Sequence, residues 1–125
     1  MIFVSSPYST PNHVEKEERV SLTMAFVAKM LNNRIQVMSP VIYGHEIVLR
    51  HSLPNDWTFW KDFCITHLQV THEIYALLLR GWQDSEGMKG ELQYAKENNI
   101  PVRCFEYDYK SGDFLEVEAD LSCMQ

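Results

Sequence analysis

The run Ile74-Tyr75-Ala76-Leu77-Leu78-Leu79, followed by Arg80-Gly81-Trp82-Gln83-Asp84-Ser85-Glu86-Gly87-Met88-Lys89-Gly90-Glu91, decides the fold. Six consecutive apolar residues read as a buried strand. A helical pattern follows over roughly residues 86–98, with Ser85 placed as its N-cap. Strand, loop and helix start make a junction that α/β proteins use to hold anions and to place one reactive side chain. The physical reason is that the first backbone N–H groups of the helix have no partner within it. At about 100° per residue, Gly87, Gly90, Glu91 and Tyr94 share one side of this helix, and Met88, Leu92 and Ala95 lie on the adjoining side. Two glycines in the first turns cost on the order of 1 kcal/mol each relative to alanine. Close approach by a ligand or another backbone is one reason to tolerate that cost. Glu91 then faces the space above the sheet, about one turn inside the helix.

Upstream, Ile2-Phe3-Val4 reads as a short buried strand, and residues 5–11 form a polar loop stiffened by Pro7 and Pro11. Asn12 and Glu15 form a capping pair. The helix they open runs to about Leu31, with Val20, Met24, Val27 and Leu31 at core spacing. Ile35, Val37 and Met38 make a second strand, closed by Ser39-Pro40. Residues 41–57 read as irregular, a flap or short helix over the sheet. Residues 58–70 read as a helix, with Phe59, Phe63 and Val70 on one side and Trp60, Cys64 and His67 on another. Downstream, Asn98-Asn99-Ile100-Pro101 stops the helix that began at Ser85. Residues 102–105 form a strand, residues 110–113 a turn, and residues 114–117 an edge strand. Alternating strands and helices predict one α/β domain over residues 1–125, a parallel sheet with helices on both faces. Ligands of such sheets bind beyond the carboxyl ends of the strands. That places the site in loops 5–11, 39–46 and 80–87.

Composition narrows the function classes. The chain has 125 residues, 46% of them hydrophobic, and a net charge of -6. No apolar run reaches the ~20 residues of a membrane helix. Met1-Ile2-Phe3-Val4 is too short for a signal peptide and lacks a basic flank. Cytoplasm is therefore the expected location, with no membrane partner. The acidic balance argues against nucleic acid, whose phosphates need a basic face. A small ligand with one or two negative charges remains compatible, because a helix end and one arginine can serve it locally. Cys64, Cys104 and Cys123 are odd in number, widely spaced and without a CxxC, against a disulfide framework and a structural zinc site. His45, His51, His67 and His72 show no HxxxH spacing, so no metal is expected.

Glu91 is the sharpest candidate for chemistry. A buried carboxylate beside a sugar can attack an anomeric carbon or stabilise an oxocarbenium-like transition state. The ordinary alternative is an exposed helix glutamate. The loop Ser5-Ser6-Pro7-Tyr8-Ser9 offers hydroxyls and backbone N–H groups after a strand, but it is neither a GxGxxG nor a Walker loop. Arg19, two turns into the first helix, can reach that loop or pair with a carboxylate. His45 can hydrogen-bond a ligand. Trp57, Trp60 and Trp82 can stack on a base, or simply fill core.

Taken together, Ser6-Pro7-Tyr8-Ser9 with Pro11, Val14 and Arg19, Ser39-Pro40-Val41-Ile42 with His45, Trp57-Thr58-Phe59-Trp60, Gly81-Trp82-Gln83-Asp84-Ser85-Glu86-Gly87 with Glu91 and Ala95, and Ile100-Pro101-Val102 resemble a small phage and bacterial branch of the nucleoside 2-deoxyribosyltransferase-like superfamily. That superfamily also contains the deoxynucleoside 5′-monophosphate N-glycosidases. The resemblance covers nearly the whole chain. It implies a flavodoxin-like or Rossmann-like three-layer sandwich with a mostly parallel sheet of four to five strands. It also implies a homodimer or higher homo-oligomer, with a nucleoside or nucleotide as small-molecule partner and no cofactor. The implied activity is cleavage of an N-glycosidic bond, as a glycosidase or a transferase. Glu91 matches the catalytic glutamate that attacks C1′. Ser85 and Gly87, with Met88 beside them, match the loop that holds a 5′-phosphate in the monophosphate-cleaving members. Tyr8 matches an aromatic residue of the first loop lining the base or sugar pocket, and Ser6, Pro7, Ser9, Arg19, His45, Asp56 and Trp57 complete the implied site.

The chain departs from that branch at Cys64, where an aspartate usually follows the second tryptophan of Trp-x-Phe-Trp by four residues. That aspartate would orient the substrate or tune the glutamate. Asp62 lies about 200° away round a helix and cannot replace it, whereas Asp56 stands in the preceding loop. Cys64 keeps a second reading open, a non-catalytic nucleotide-binding module. A third is an interaction protein, for which the aromatic content speaks.

Overall fold

The computed structural model describes residues 1–124. Strand β3 (Glu73–Leu77) lies mid-sheet, and Leu78 and Leu79 stay buried beyond its end. Its side chains alternate between two cores: Ile74, Ala76 and Leu78 enter one apolar cluster, Tyr75, Leu77 and Leu79 the other. A strand buried on both faces needs cover on both. On one face lie α3 (Trp57–Leu68) and α4 (Glu86–Glu97), which contribute Cys64, Leu68, Met88, Leu92 and Ala95. On the other lies α1 (His13–Asn32), which contributes Phe26 and Met30.

Around β3 the order is β2-β1-β3-β4-β5. Strands β1 (Ile2–Ser5) and β2 (Val37–Met38) lie on one side, β4 (Val102–Asp108) and β5 (Asp113–Val117) on the other. The first four strands run parallel, and β5 returns antiparallel to β4. The result is a flavodoxin-like, Rossmann-like three-layer sandwich with a mostly parallel five-stranded sheet. Among the described residues no helix is long and apolar enough to cross a membrane.

The structure decides or corrects several local expectations. Residues 41–57, read as irregular with a flap or a short helix over the sheet, carry the helix: Pro40–His51 form α2. Ser39-Pro40, expected only to close β2, is a helix start, with the Ser39 hydroxyl accepting from the Ile42 N–H at 3.1 Å and proline at the first helical position. The core stripe of α1 is Arg19, Val20, Thr23, Phe26 and Met30, whereas Met24 is 53% exposed and Leu31 45%. The helix is thus turned by about one residue from the stripe its apolar side chains suggest, because the sheet accepts Phe26 among Tyr75, Phe105 and Phe114. Phe59 of α3 and Val70, two residues beyond its end, are exposed, and burial in the helix falls on Cys64 and Leu68.

The glycines of α2 and α4 are where tryptophans press on helix backbone. A Cβ at Gly44 would come within 3.0 Å of the Trp60 ring, and one at Gly90 would overlap the Trp57 indole. Alanine in place of Gly90 gains about 1 kcal/mol of helix propensity, yet we expect Gly90→Ala to destabilise the fold by about 1–3 kcal/mol by displacing Trp57. In a Trp57→Ala background the same change is expected to stabilise. Urea unfolding of the four proteins checks this sign reversal.

Candidate functional site

The chain leaves β1 for α1 on one face and β3 for α4 on the other. A crevice therefore opens beyond the carboxyl ends of these two neighbouring strands, where the strand order reverses. Here a cavity of about 340 Å³ is walled by four segments. The loop after β1 supplies Ser6, Tyr8 and Ser9. Helix α2 supplies Pro40, Val41, Gly44, His45 and Val48. The start of α3 and the corner before it supply Asn55, Asp56, Trp57, Thr58, Trp60 and Cys64. The start of α4 supplies Asp84, Ser85, Glu86, Gly87 and, one turn on, Glu91.

Glu91 is 5% exposed. It can be buried because the strand end below it is polar. Phe3 and Ser5 share the face of β1 turned to α3 and α4, and at the last strand position a hydroxyl replaces the apolar side chain. Ser5 Oγ donates to Glu91 Oε1 at 2.7 Å, and the Cys64 thiol donates a second hydrogen bond to the same carboxylate. Burial nevertheless dominates and pushes the Glu91 carboxyl up to about 7, with the two donors pulling it partly back. Burial, and then the nearby Glu91 charge, push the Cys64 thiol up, so it remains a neutral donor.

Across the cavity the Tyr8 hydroxyl lies 2.8 Å from His45 Nδ1, the two rings edge to face. When the phenol donates, the imidazole carries its proton on Nε2, which stands 4.0 Å from Glu17 Oε1. Burial and the Glu17 charge raise the Tyr8 phenol above its ordinary value. Pocket residue, imidazole and surface carboxylate thus form a line from the cavity toward solvent.

Three helix starts meet at this cavity, those of α2, α3 and α4. Ser39 and Ser85 cap α2 and α4 through the Ile42 and Met88 N–H groups. Asp56 precedes α3 but makes no side-chain cap bond.

Of the expected site residues, Ser6, Tyr8, Ser9, His45, Asp56, Trp57, Ser85, Gly87 and Glu91 come together on this lining. Pro7, Arg19 and Met88 do not. Pro7 and Met88 are fully buried packing groups. Arg19 turns to the protein's own backbone: Nη1 donates to the carbonyls of Tyr8 at 3.4 Å and Ser9 at 3.1 Å, and Nη2 to the Arg80 carbonyl at 2.9 Å and to Glu15 at 2.7 Å. Trp82 packs against the core cluster and Trp60 lines the cavity. Sequence reasoning named Ser5 only among the hydroxyls of its loop and gave no site role to Glu17, Asp84 or Glu86. Ser5 was legible as the first polar residue on the Phe3 side of its strand. The place of Glu17 depends on how α1 and α2 pack, and no local pattern carries it. Among the described residues no three His, Cys, Asp or Glu side chains gather as a metal-binding group.

A family model with the description "Domain of unknown function (DUF1937)" matches residues 1–107. No curated protein matches the chain. The matched segment contains every lining residue of the cavity and ends inside β4.

The Glu91 environment sets a stability prediction. Between pH 4.5, its ordinary value, and about 7, the unfolded chain ionises Glu91 while the folded chain keeps the proton. The folded state then binds more protons, so this group's contribution to stability falls as pH rises through that window. The loss is on the order of 3 kcal/mol. Glu91→Gln removes it. We expect the variant to be more stable than wild type at pH 8 and the difference to vanish below pH 4.5, as read by urea unfolding at several pH values. A wild type that gains on the variant with rising pH would show a well-paired, ionised carboxylate instead.

Proposed function

We propose, for a chain that belongs to the family described as "Domain of unknown function (DUF1937)", that the cavity cleaves the N-glycosidic bond of a nucleoside or nucleoside 5′-monophosphate. The observation that carries this reading is a buried carboxylate on the wall of a ligand-sized cavity, held by two hydrogen-bond donors and facing aromatic side chains. The resemblance to the nucleoside 2-deoxyribosyltransferase-like superfamily supports the same residue, Glu91, as nucleophile.

In this reading Trp57, Trp60 and Tyr8 sandwich the base, and Ser6, Ser9 and the start of α4 hold the sugar. The Glu91 carboxylate attacks C1′ as the bond to the base breaks, through an oxocarbenium-like transition state. The electron pair leaves with the base. Tyr8, hydrogen-bonded to His45, supplies the proton a neutral base needs, and the imidazole with Glu17 beyond it returns that proton from solvent. Ser5 and Cys64 keep the carboxylate oriented. Attack on the glycosyl ester by water gives hydrolysis, and by a second base, transfer.

Cys64 gives this site a character of its own. An aspartate beside Glu91 would make two carboxylates share one site, with one of them forced to keep its proton. A neutral thiol leaves Glu91 to titrate alone. The same substitution is the observation behind the rival reading, a nucleotide-binding module without turnover.

Incubation with a panel of nucleosides and monophosphates, followed by chromatography for free base, separates the two. We expect base release, lowered at least ~10³-fold in Glu91→Gln. Ligand-induced melting shifts without any base release would favour the binding module. For the enzyme, kcat/KM is expected to rise with pH through an apparent pKa near 7, because the nucleophile must be ionised. A fall over that range would make Glu91 an acid. Cys64→Asp is expected to move the profile to more alkaline pH.

A further inference from the structure

The charges around the cavity are one-sided. Four carboxylates stand on its lining, Asp56, Asp84, Glu86 and Glu91, and no lysine or arginine does among the described residues. The nearby cations are already engaged, two of them by groups of the lining itself. Arg19 is spent on three backbone carbonyls and Glu15, Lys89 lies 3.9 Å from Glu86, and Lys16 stands over the Tyr8 ring at 5.4 Å from its centroid. The three helix starts each add about half a positive charge, and two of them are already capped. Even with Glu91 protonated and Glu86 beside Lys89, Asp56 and Asp84 stand on the lining with no ion pair among the described residues.

A second observation shows that the wall is built for a ligand. Ser6 is 7% exposed, stands on the lining, and its hydroxyl has no hydrogen-bond partner. A buried hydroxyl left unmade costs about 1–3 kcal/mol, which a ligand hydroxyl would recover. Beside it the cavity presents the aromatic rings of Trp57 and Trp60, whose faces attract cations.

The geometry points to an unphosphorylated nucleoside with a positively charged base as the substrate class of this cavity, a refinement that rests on the N-glycosidase reading. A 5′-phosphate brings about -1.5 to -2 charges at pH 7 into a ring of carboxylates. A cationic base meets those carboxylates and the aromatic faces. The bond change balances without an acid: Glu91 forms a C1′–O bond, the C1′–N bond breaks, and its electron pair neutralises the base, which leaves uncharged and unprotonated. Water then cleaves the glycosyl ester, taking the sugar and restoring the carboxylate. Rim charges in water are screened over about 8 Å at physiological salt, so the preference is salt-dependent.

The test is calorimetric binding to Glu91→Gln, which retains the cavity without turnover. The probes are a pyridinium nucleoside in ribose and 2′-deoxyribose forms, its 5′-monophosphate, and its uncharged dihydropyridine analogue. We expect the better pyridinium nucleoside to bind at least ~10-fold more tightly than both the monophosphate and the uncharged analogue, with the gap narrowing at high salt and in the Asp56→Asn, Glu86→Gln double variant. Equal or tighter binding of the monophosphate, or of the uncharged analogue, overturns the charge preference and leaves the N-glycosidase reading standing. Failure of every probe to bind folded protein, together with no base release by wild type from any nucleoside, overturns both.

Discussion

One buried guanidinium ties the structure together at the place where the cavity opens. Arg19 is 5% exposed and reaches from α1 to the loop after β1 and the loop after β3, the two strands that flank the crevice. Those loops carry backbone carbonyls that no helix or strand satisfies, and a planar guanidinium with several fixed N–H groups serves three of them at once. Glu15, one turn earlier on the same helix, supplies the countercharge. The carbonyls held by Arg19 belong to Tyr8, Ser9 and Arg80, so the positions of the first loop and of the approach to α4 are fixed relative to each other. The distance across the cavity therefore depends on an arginine that never lines it.

Within that frame the cavity holds a single buried carboxylate whose environment is divided. Apolar packing of α3 and α4 on the sheet excludes water from Glu91, while Ser5 and Cys64 supply hydrogen bonds that suit its ionised form. The balance places its titration near neutrality, the range where one group can change protonation state during a reaction. The opposite wall is organised on the same principle, with a Tyr8 phenol raised by burial and linked through His45 toward an exposed glutamate. The thiol of Cys64 fits this arrangement because it donates without bringing a second charge.

Much of this was legible in the sequence, for reasons that differ by element. The strands at residues 2–5 and 73–77 are built on apolar runs between turn signals, and a run too short to be a helix has few other uses; the strand after Pro101 was legible only over residues 102–105, because Glu106 and Asp108 break its apolar pattern. Helix α4 announced itself by Ser85, by its periodic apolar positions and by the glycines near its start. Helix α2 was legible only as an alternative to a flap, because Ser39-Pro40 ends a strand as readily as it opens a helix, and because Gly44 weakens a helical pattern whose justification is a tryptophan sixteen residues away. The α1 stripe was misplaced because Arg19 and Thr23 face inward: Arg19 finds carbonyls on two loops, and the Thr23 hydroxyl bonds back to the Arg19 carbonyl.

The sequence by itself determined the α/β class, the junction at residues 74–91, and Glu91 as its reactive candidate, since these rest on periodicity and capping, which are local. Only the tertiary structure decided that Ser5 and Cys64 donate to Glu91, that Tyr8 meets His45, and that Arg19 serves the frame rather than the cavity. Those facts join residues far apart in the chain, 86 positions in the case of Ser5 and Glu91. Whether a carboxylate is buried, and what then holds its charge, is settled by packing between elements, and no spacing within one element contains that information.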